Sequence, residues 1–272
     1  MVIQHNIAAI NSYRNLSTNQ SALSKNLEKL SSGYKINRAG DDAAGLAISE
    51  TMRSQINGLN QAVNNANDAI GLIQTAEGAM TETHSMLQRM KTLTTQAANG
   101  TYTEAARKNI QSEIDALNSE ITRIASTTEF NGEKPLNNKG KNLTFFIGAS
   151  ADKTNAMTVG QQAMTAAELK VSTLSVKTTT QAFQAMKAVD DAITTVSIYR
   201  AQLGAAQNRL EHTVNNLKVT SENITSAESR IRDTDMADEI TAYTKNNILL
   251  QAAQSMLSQS NAMPQGVLSM LQ

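Results

Sequence analysis

The chain has 272 residues, 24 basic and 24 acidic side chains, a formal net charge of zero and no cysteine. Aromatic residues make up only 3% of it and Trp is absent, so the large side chains that anchor a thick globular core are scarce. These values exclude disulfides and thiolate chemistry, and they argue against a nucleic-acid binder, which normally shows a basic face. Zero net charge also removes the long-range repulsion between copies, which permits self-assembly.

The first predicted helix carries a narrow apolar seam, in which successive members are three, four or seven residues apart. The members of this seam are Leu16, Leu23, Leu27, Leu30 and Tyr34. The segment lacks the basic start and apolar block of a secretory signal, and no run in the chain approaches the ~20 apolar residues of a transmembrane helix. We therefore expect no membrane insertion, and an export route that removes no hydrophobic leader.

A polar stretch with three glycines, LSSGYKINRAGDDAAGLAIS (30–49), follows this helix. Its glycines could cradle a phosphate or allow the backbone to bend, and its Asp41-Asp42 pair could bind a cation or cap a helix. Adjacent aspartates diverge, and no further ligands follow at the spacing of a calcium loop. Aspartates directly ahead of an Ala-rich helix instead cap its N-terminus and favour its dipole. We expect a joint, in which Gly33 and Gly40 bend the chain and one of the two aspartates starts the next helix.

The longest predicted helix covers about residues 45–99. Its apolar seam advances in steps of three and four residues through Ile56, Leu59, Val63, Ala66, Ile70 and Ile73, and continues through Met80 and Leu87 to Ala97. Such a seam predicts coiled-coil packing against a partner helix. Asn99-Gly100 breaks the pattern, and Thr101 followed by Glu104 has the spacing of a capping box that opens a third helix. The short break predicts that this helix folds back on its predecessor as an αα-hairpin.

Residues 129–176 differ from the helical parts, because they combine Gly, Asn and Pro turn signals with the β-prone run LTFFI (143–147). This composition predicts a small β-hairpin region at about 129–160. A short helix at about 161–169 is expected to follow.

Helical spacing returns in the last third of the chain, with a seam through Met186, Val189, Ile193, Val196, Leu203, Leu210, Val214 and Leu217. The polar segment 220–238 loosens the pattern before a final helix, in which Pro264 predicts a kink or an end. The order of elements predicts that the first helix pairs with the last and the second with the second-last. We therefore expect a mainly α fold: an elongated antiparallel coiled coil or helix bundle with a small β-hairpin region and both termini paired in one helical domain.

Motifs for catalysis or cofactor binding are lacking. His5, His84 and His212 are scattered at spacings that suit no metal site, and neither a phosphate-binding loop nor a nucleophile elbow is present. No cofactor, no metal and no enzymatic activity are expected. The Met-containing segment QSMLSQSNAMPQGVLSMLQ (254–272) fits a filled seam, and it equally fits a flexible face that a chaperone holds before assembly.

The sequence resembles bacterial flagellin, the subunit of the flagellar filament, over about residues 1–135 and 180–272. The resemblance rests on collinear motifs: IQHNIAAINS (3–12), LSSGYKINRAGDDAAGLAISE (30–50), IQTAEGAM (73–80), LQRMKTLTTQAANGT (87–101), EFNG (129–132), LGAAQNRLEHTVNNL (203–217), SAESRIRDTDMADE (226–239) and the closing VLSMLQ. It implies a subunit that is exported unfolded by the flagellar type III route and polymerises into an extracellular filament for swimming.

The resemblance also implies a domain organisation. Residues 1–42 and 233–272 would form an inner terminal-helix coiled coil with joint segments, and residues 43–232 an outer rod with the β-hairpin. The middle of the chain is too short for a large variable outer domain. The seam of the inner coiled coil is expected at Leu23, Leu27, Leu30, Leu249, Met256, Met263, Val267 and Met270. The joint is expected at Gly33, Arg38, Gly40, Asp41, Asp42, Arg230, Arg232, Asp233 and Asp235, with Arg38 paired to Asp233, to Asp235 or to a neighbouring subunit.

Partners follow from the resemblance as well. They are other copies of the chain, an export chaperone on the C-terminal helix, hook-junction and cap proteins, and, for the monomer, the innate receptor Toll-like receptor five. The receptor motif is matched by Gln88, Arg89 and Leu93, with Glu113 on the neighbouring helix. No nucleic acid is expected as a partner.

Three alternatives stay open. A hook–filament junction protein shares flagellin-like ends, but the dense matches at 87–101 and 229–239 favour flagellin. An adhesin or enzyme with such ends would need an inserted domain, which residues 136–180 are too short to hold. A secretion-needle or tip protein would not need the matched second helical domain.

Overall fold

The computed structural model describes residues 6–138 and 140–270, with side chains described up to residue 263. The described part is mainly α, as predicted. Its helices and strands in chain order are α1 Ile7–Ser32, α2 Ala43–Ala98, α3 Glu104–Thr127, β1 Asn142–Phe146, β2 Ala156–Gly160, α4 Thr179–Arg232 and α5 Met236–Met270. The helix expected at 45–99 is α2, and the strand expected at 143–147 is β1.

Contacts between residues divide the chain into two compact units. Unit 1 consists of residues 1–54 and 222–272, and unit 2 of residues 55–221. Both divisions fall inside helices, within α2 and within α4. The expected domain boundaries, at 42/43 and 232/233, coincide with the start of α2 and the end of α4.

The core of unit 2 lies between α2, α3 and α4. Buried side chains of α2 recur in steps of three and four residues, as a coiled-coil seam requires: Ala62, Ala66, Ala69, Ile73, Ala76, Met80, Thr83, Leu87, Met90, Thr94 and Ala97. Glu77 Oε1 lies 3.4 Å from Arg200 Nη2, and Lys91 Nζ lies 2.7 Å from Asp190 Oδ1. The residue numbers of α4 decrease as those of α2 increase, so the two helices are antiparallel and the predicted pairing is confirmed.

The third helix starts differently from the prediction. The hydroxyl of Thr103 accepts a hydrogen bond from Ala106 N, so Thr103 is the N-cap of α3. The capping box expected from Thr101 is therefore wrong. Asn99 Oδ1 instead accepts from the backbone N–H of Thr101, which lies in the turn.

The middle region contacts α2 near two glycines of that helix, Gly58 and Gly71. β1 and β2 are antiparallel neighbours, with Thr144 opposite Thr158. A Cβ on Gly58 would lie 3.1 Å from the Cβ of Ala149 in the hairpin loop, and a Cβ on Gly71 would lie 3.5 Å from the ring of Phe130. Gly58 therefore lets the hairpin loop approach the helix closely, whereas a Cβ on Gly71 would make an ordinary van der Waals contact with Phe130.

The short helix expected at 161–169 is wrong, because residues 165–170 form turns. The first residues of the segment bond to distant backbone groups, and residues 165–172 bond to one another in turns. Met164 N donates to Leu136 O at 2.9 Å, and side chains of α3 bind the backbone at residues 171–176. The segment therefore forms turns without a regular helix, and its side chains Met164, Leu169 and Val171 are buried in the core of unit 2.

In unit 1, α1 and α5 are paired and antiparallel. Asn26 bonds to Asn246 at 3.3 Å, Lys29 Nζ lies 3.7 Å from Glu239 Oε2, and Asn6 Nδ2 donates to Ser260 O at 2.9 Å. The predicted pairing of the first helix with the last is confirmed. Of the kink or end predicted at Pro264, the end does not occur, since α5 continues to Met270.

Candidate functional site

The predicted joint lies within unit 1, where the chain after α1 meets the chain between α4 and α5. Gly33 ends α1 in the left-handed conformation, with φ 75°, and its N–H bonds to Lys29 O at 2.8 Å. Its carbonyl accepts from Thr234 N at 3.0 Å, and Lys35 N donates to Arg232 O at 2.6 Å. Backbone hydrogen bonds on either side of an antiparallel bridge between Tyr34 and Asp233 therefore hold the two segments together.

Arg232 occupies the centre of this joint. Its side chain is only 11% exposed, its Nη1 lies 2.7 Å from Glu50 Oε1 on α2, and its guanidinium stands over the Tyr34 ring at 4.7 Å from the centroid. A planar guanidinium makes both contacts at once, which an ammonium could not do as well. The hydrogen bond from Arg232 holds the pKa of the Glu50 carboxyl below its usual value. Sequence reasoning named Arg232 but missed both Glu50 and Tyr34.

The two aspartates have separate roles. Asp41 Oδ2 accepts from the backbone N–H groups of Arg38, at 3.1 Å, and Asn37, at 3.3 Å, which closes the turn and lowers the pKa of Asp41. Asp42 Oδ1 accepts from Gly45 N at 2.9 Å and therefore caps α2. These contacts are those of a turn and a helix cap.

The glycines of the joint differ in what they contribute. A Cβ on Gly45 would lie 2.5 Å from Asp42 Oδ2 and 2.8 Å from the Cδ1 of buried Ile36, so the capped start of α2 leaves no room for a side chain. Gly40 has open space around it and no left-handed φ. The expected bend at Gly40 therefore does not depend on glycine, whereas Gly33 does supply a conformation that favours glycine.

The charged residues of the joint are paired differently from the expectation. Arg38 Nε lies 2.7 Å from Glu28 Oε1 on α1, so its expected pairing with Asp233 or Asp235 is wrong within the chain. Asp235 instead caps α5, accepting from Ala237 N at 2.9 Å. Arg230 is exposed in the last turn of α4. The polar segment after residue 220, where the helical pattern was expected to loosen, stays helical to Arg232.

The expected inner seam is largely uncovered in the single chain. Leu23 and Leu30 are half-buried, but the exposed fractions of the others are substantial: Leu27 48%, Leu249 40%, Met256 65% and Met263 54%. Val267 and Met270 lie outside the described side chains. Among the described side chains of α1 and α5, those that are buried are the polar Asn26 and Ser260. The contact between α1 and α5 therefore leaves an apolar surface on both helices unpartnered.

The expected receptor residues lie on the α2–α3 hairpin of unit 2. Arg89 Nε donates to Glu113 Oε1 at 2.8 Å across the two helices, and Gln88 bonds to His84 at 3.0 Å on α2. Arg89, Gln88 and Glu113 share this exposed surface, whereas Leu93 is 2% exposed and packs in the core beneath it. A groove of about 670 Å³ beside Gln88 is bounded by Lys91 and Tyr102.

Within the described residues, no three His, Asp or Glu side chains come together as a metal site. No described helix combines the length and apolarity needed to cross a membrane.

Comparison with known proteins gives consistent matches along the chain. Residues 3–141 match the family model of the bacterial flagellin N-terminal helical region, and residues 186–271 match that of the C-terminal helical region. A flagellin of Bacillus subtilis is 51% identical over 303 aligned positions, which cover 100% of both chains.

Solved structures show the same relationship. A crystal structure of Bacillus cereus flagellin has a TM-score of 0.51 at 31% identity, covering 61% of this chain and 94% of that one. A structure from Vibrio parahaemolyticus, described as flagellar hook-associated, has a TM-score of 0.59 over 71% of this chain and 100% of that one. Its identity is only 12%, so that likeness shows the fold alone.

Proposed function

Because the chain belongs to the bacterial flagellin family, it is a structural subunit of the flagellar filament and not an enzyme, and we propose that the exposed apolar residues of α1 and α5 pack against other copies of the chain. The observation that carries this proposal is the uncovered surface at Leu27, Leu249, Met256 and Met263. Burying apolar area favours association by about 25 cal/mol per Å² before the entropic costs of binding are subtracted. A filament offers each subunit many neighbours on which to bury it.

We further propose that residues 1–42 and 233–272 form the inner coiled coil of the filament and residues 43–232 its outer part. The joint around Arg232 would then connect the two parts within each subunit. The backbone bonds at Gly33 and Lys35, together with the Glu50 contact, lie within unit 1 and support an ordered joint there.

Filament assembly provides the direct test. The full chain and a chain shortened by the last ~20 residues, a length set by the final helical seam, are seeded with filament fragments and followed by light scattering and electron microscopy. Long polymers are expected from the full chain alone. Unchanged polymerisation of the shortened chain would refute the coiled-coil proposal.

Point variants keep the chain length constant. Replacing Leu249 and Met256 together by Gln removes apolar contacts and should slow polymerisation strongly. Gln254→Ala on the same helix removes no apolar area and serves as the control. Single-ring junctions in place of long polymers would favour the hook–filament junction alternative, for which the Vibrio parahaemolyticus structure shows a likeness of fold alone.

We also propose the export route and the partners that the family implies. The chain would be exported unfolded by the flagellar type III route to the cell exterior. Its partners would be a chaperone on α5, hook-junction and cap proteins, and, for the monomer, Toll-like receptor five. The exposed Arg89–Glu113 ion pair supports the receptor surface. Subunit contacts in the filament would cover this surface, so the monomer should be the recognised form.

The receptor proposal is tested with Arg89→Ala in a cell reporter assay, where a clear loss of monomer response is expected. Arg123→Ala is the matched control, because Arg123 forms a comparable exposed ion pair with Glu120 on α3. Equal responses from both variants, or strong receptor binding by intact filaments, would contradict the proposal.

A further inference from the structure

The described methionines range from buried to exposed, and the exposed ones are Met236, Met256 and Met263 of α5. Because the chain has 12 methionines and no cysteine, the thioether is its only oxidisable sulfur. Met80, Met90 and Met164 of unit 2 are at most 1% exposed. On α5, by contrast, Met256 is 65% and Met263 54% exposed.

We propose that Met256 and Met263 form an oxidation site that controls whether the unassembled chain can polymerise. Hydrogen peroxide is the oxidant considered. The sulfur lone pair attacks one peroxide oxygen, the O–O bond breaks, and the thioether becomes a sulfoxide while the peroxide is reduced to water. The sulfur loses two electrons and the proton of the transferred oxygen goes to the departing hydroxide, so atoms and electrons balance.

The unassembled chain has a surface that tolerates this change. Met256 lines a groove of about 340 Å³ between α1 and α5. The wall that α1 contributes to this groove is polar, formed by Ser12, Asn15, Thr18 and Asn19. Hydroxyl and amide groups are hydrogen-bond donors that suit a sulfoxide oxygen. Oxidation should therefore leave α1 and α5 folded.

An apolar contact between subunits does not tolerate methionine oxidation. This part of the inference rests on the proposed function. A sulfoxide converts a flexible apolar side chain into a polar one. Moving it into an apolar interface without a hydrogen-bond donor is unfavourable. Oxidised chains should therefore be excluded from growing filament ends, while chains already in a filament should be protected because the same side chains are covered.

Selective oxidation of the monomer is the first measurement. Monomer is treated with hydrogen peroxide, and sulfoxide is quantified at each methionine by peptide mass spectrometry. Met256 and Met263 are expected to oxidise about tenfold faster than Met80 and Met90, because exposure controls access. Circular dichroism should stay unchanged. Equal rates at all four residues would overturn the proposal.

Seeded polymerisation of the treated protein is the second measurement. The treated chain should polymerise at least about tenfold more slowly, as an interface that rejects a polar group requires, and a methionine sulfoxide reductase should restore the rate. The double variant Met256→Leu and Met263→Leu should keep its rate after treatment. Met164→Leu, which alters a buried methionine, should stay as sensitive as the original chain.

The outcomes separate this inference from the proposed function. Untreated chain that fails to polymerise would refute the proposed function, and the oxidation rates would still decide the site. Untreated chain that polymerises, with no loss after oxidation or with the same loss in the double leucine variant, would refute the switch alone. Filaments oxidised at Met256 as fast as monomers would also refute it.

Discussion

Gly33 shows how one backbone conformation sets the direction of the chain after α1. Its left-handed φ of 75° lets the N–H close the end of α1 while the carbonyl accepts from Thr234. A side chain in this conformation is strained. The residue therefore contributes to the joint through its backbone alone.

Gly33→Ala is expected to lower the free energy of unfolding by about 1 kcal/mol, because alanine is disfavoured at positive φ. Urea unfolding followed by circular dichroism measures the change. Gly40→Ala is the matched control: this residue has open space and no left-handed φ, so little change is expected. Similar losses in the two variants would show that the αL cap is not the cause.

The Glu50–Arg232 contact predicts a dependence of stability on pH. Arg232 lowers the pKa of Glu50 in the folded chain below its usual 4.5, so the unfolded chain takes up this proton more readily. The contact therefore stabilises the fold above pH 4.5, and its contribution is lost as the pH falls through the lowered pKa. Unfolding in urea at a series of pH values should show this loss.

Glu50→Gln should flatten part of the acid dependence, since the amide does not titrate. Arg232→Gln should flatten the same part, and the double variant should add nothing further, because both changes remove one interaction. Additive effects of the two substitutions would contradict a shared contact.

At the scale of elements, α3 holds the segment that precedes α4 by side-chain amides. Gln111 Nε2 donates to Leu174 O and its Oε1 accepts from Val176 N, both at 2.8 Å. One helical heptad later, Asn118 Nδ2 donates to Val171 O at 2.8 Å. These bonds replace the backbone ladder that a segment outside helix and sheet lacks.

Gln111→Met should lower the free energy of unfolding by about 2 kcal/mol, because it leaves polar backbone atoms of the segment without partners. Gln207→Met on α4 is the control, since this amide bonds along its own helix to Glu211, and a change below about 0.5 kcal/mol is expected there. Urea unfolding measures both. Equal effects would mean that the amide bonds to residues 174 and 176 contribute nothing specific.

At the scale of the whole molecule, charge balance and uncovered apolar surface act together. The sequence pI is about 6.9, so repulsion between copies is weakest near neutral pH. In low salt, seeded polymerisation should be fastest near that pH and slower on either side. Raising the salt to about 0.15 M, where the Debye length is about 8 Å, should flatten the profile. A profile that ignores salt would indicate that specific titrating contacts set the rate instead.

Much of the fold follows from residue spacing. The 3-4 repeat predicted α2 to within two residues at each end, and Asn-Gly together with a short break predicted the hairpin with α3. The cap of α3 was missed, because Thr101 and Thr103 both precede the helix and only the backbone geometry selects between them. The first turn of the short helix expected at 161–169 was overruled by backbone hydrogen bonds from Gln161 to Lys141 and from Met164 to Leu136, which no local pattern reports.

By itself, the sequence determined the long helices, the antiparallel pairing of their seams, the small hairpin and the family. Apolar periodicity and collinear motifs are properties of residue order alone, so they can be read without the tertiary structure. Only the tertiary structure decided which charges meet: Arg38 pairs with Glu28, and Arg232 lies between Glu50 and Tyr34. It also decided that Leu27 and Met256 stay exposed while Asn26 is buried. The physical reason is that periodicity defines a helix face, whereas the partner of that face depends on how helices distant in sequence are rotated against each other.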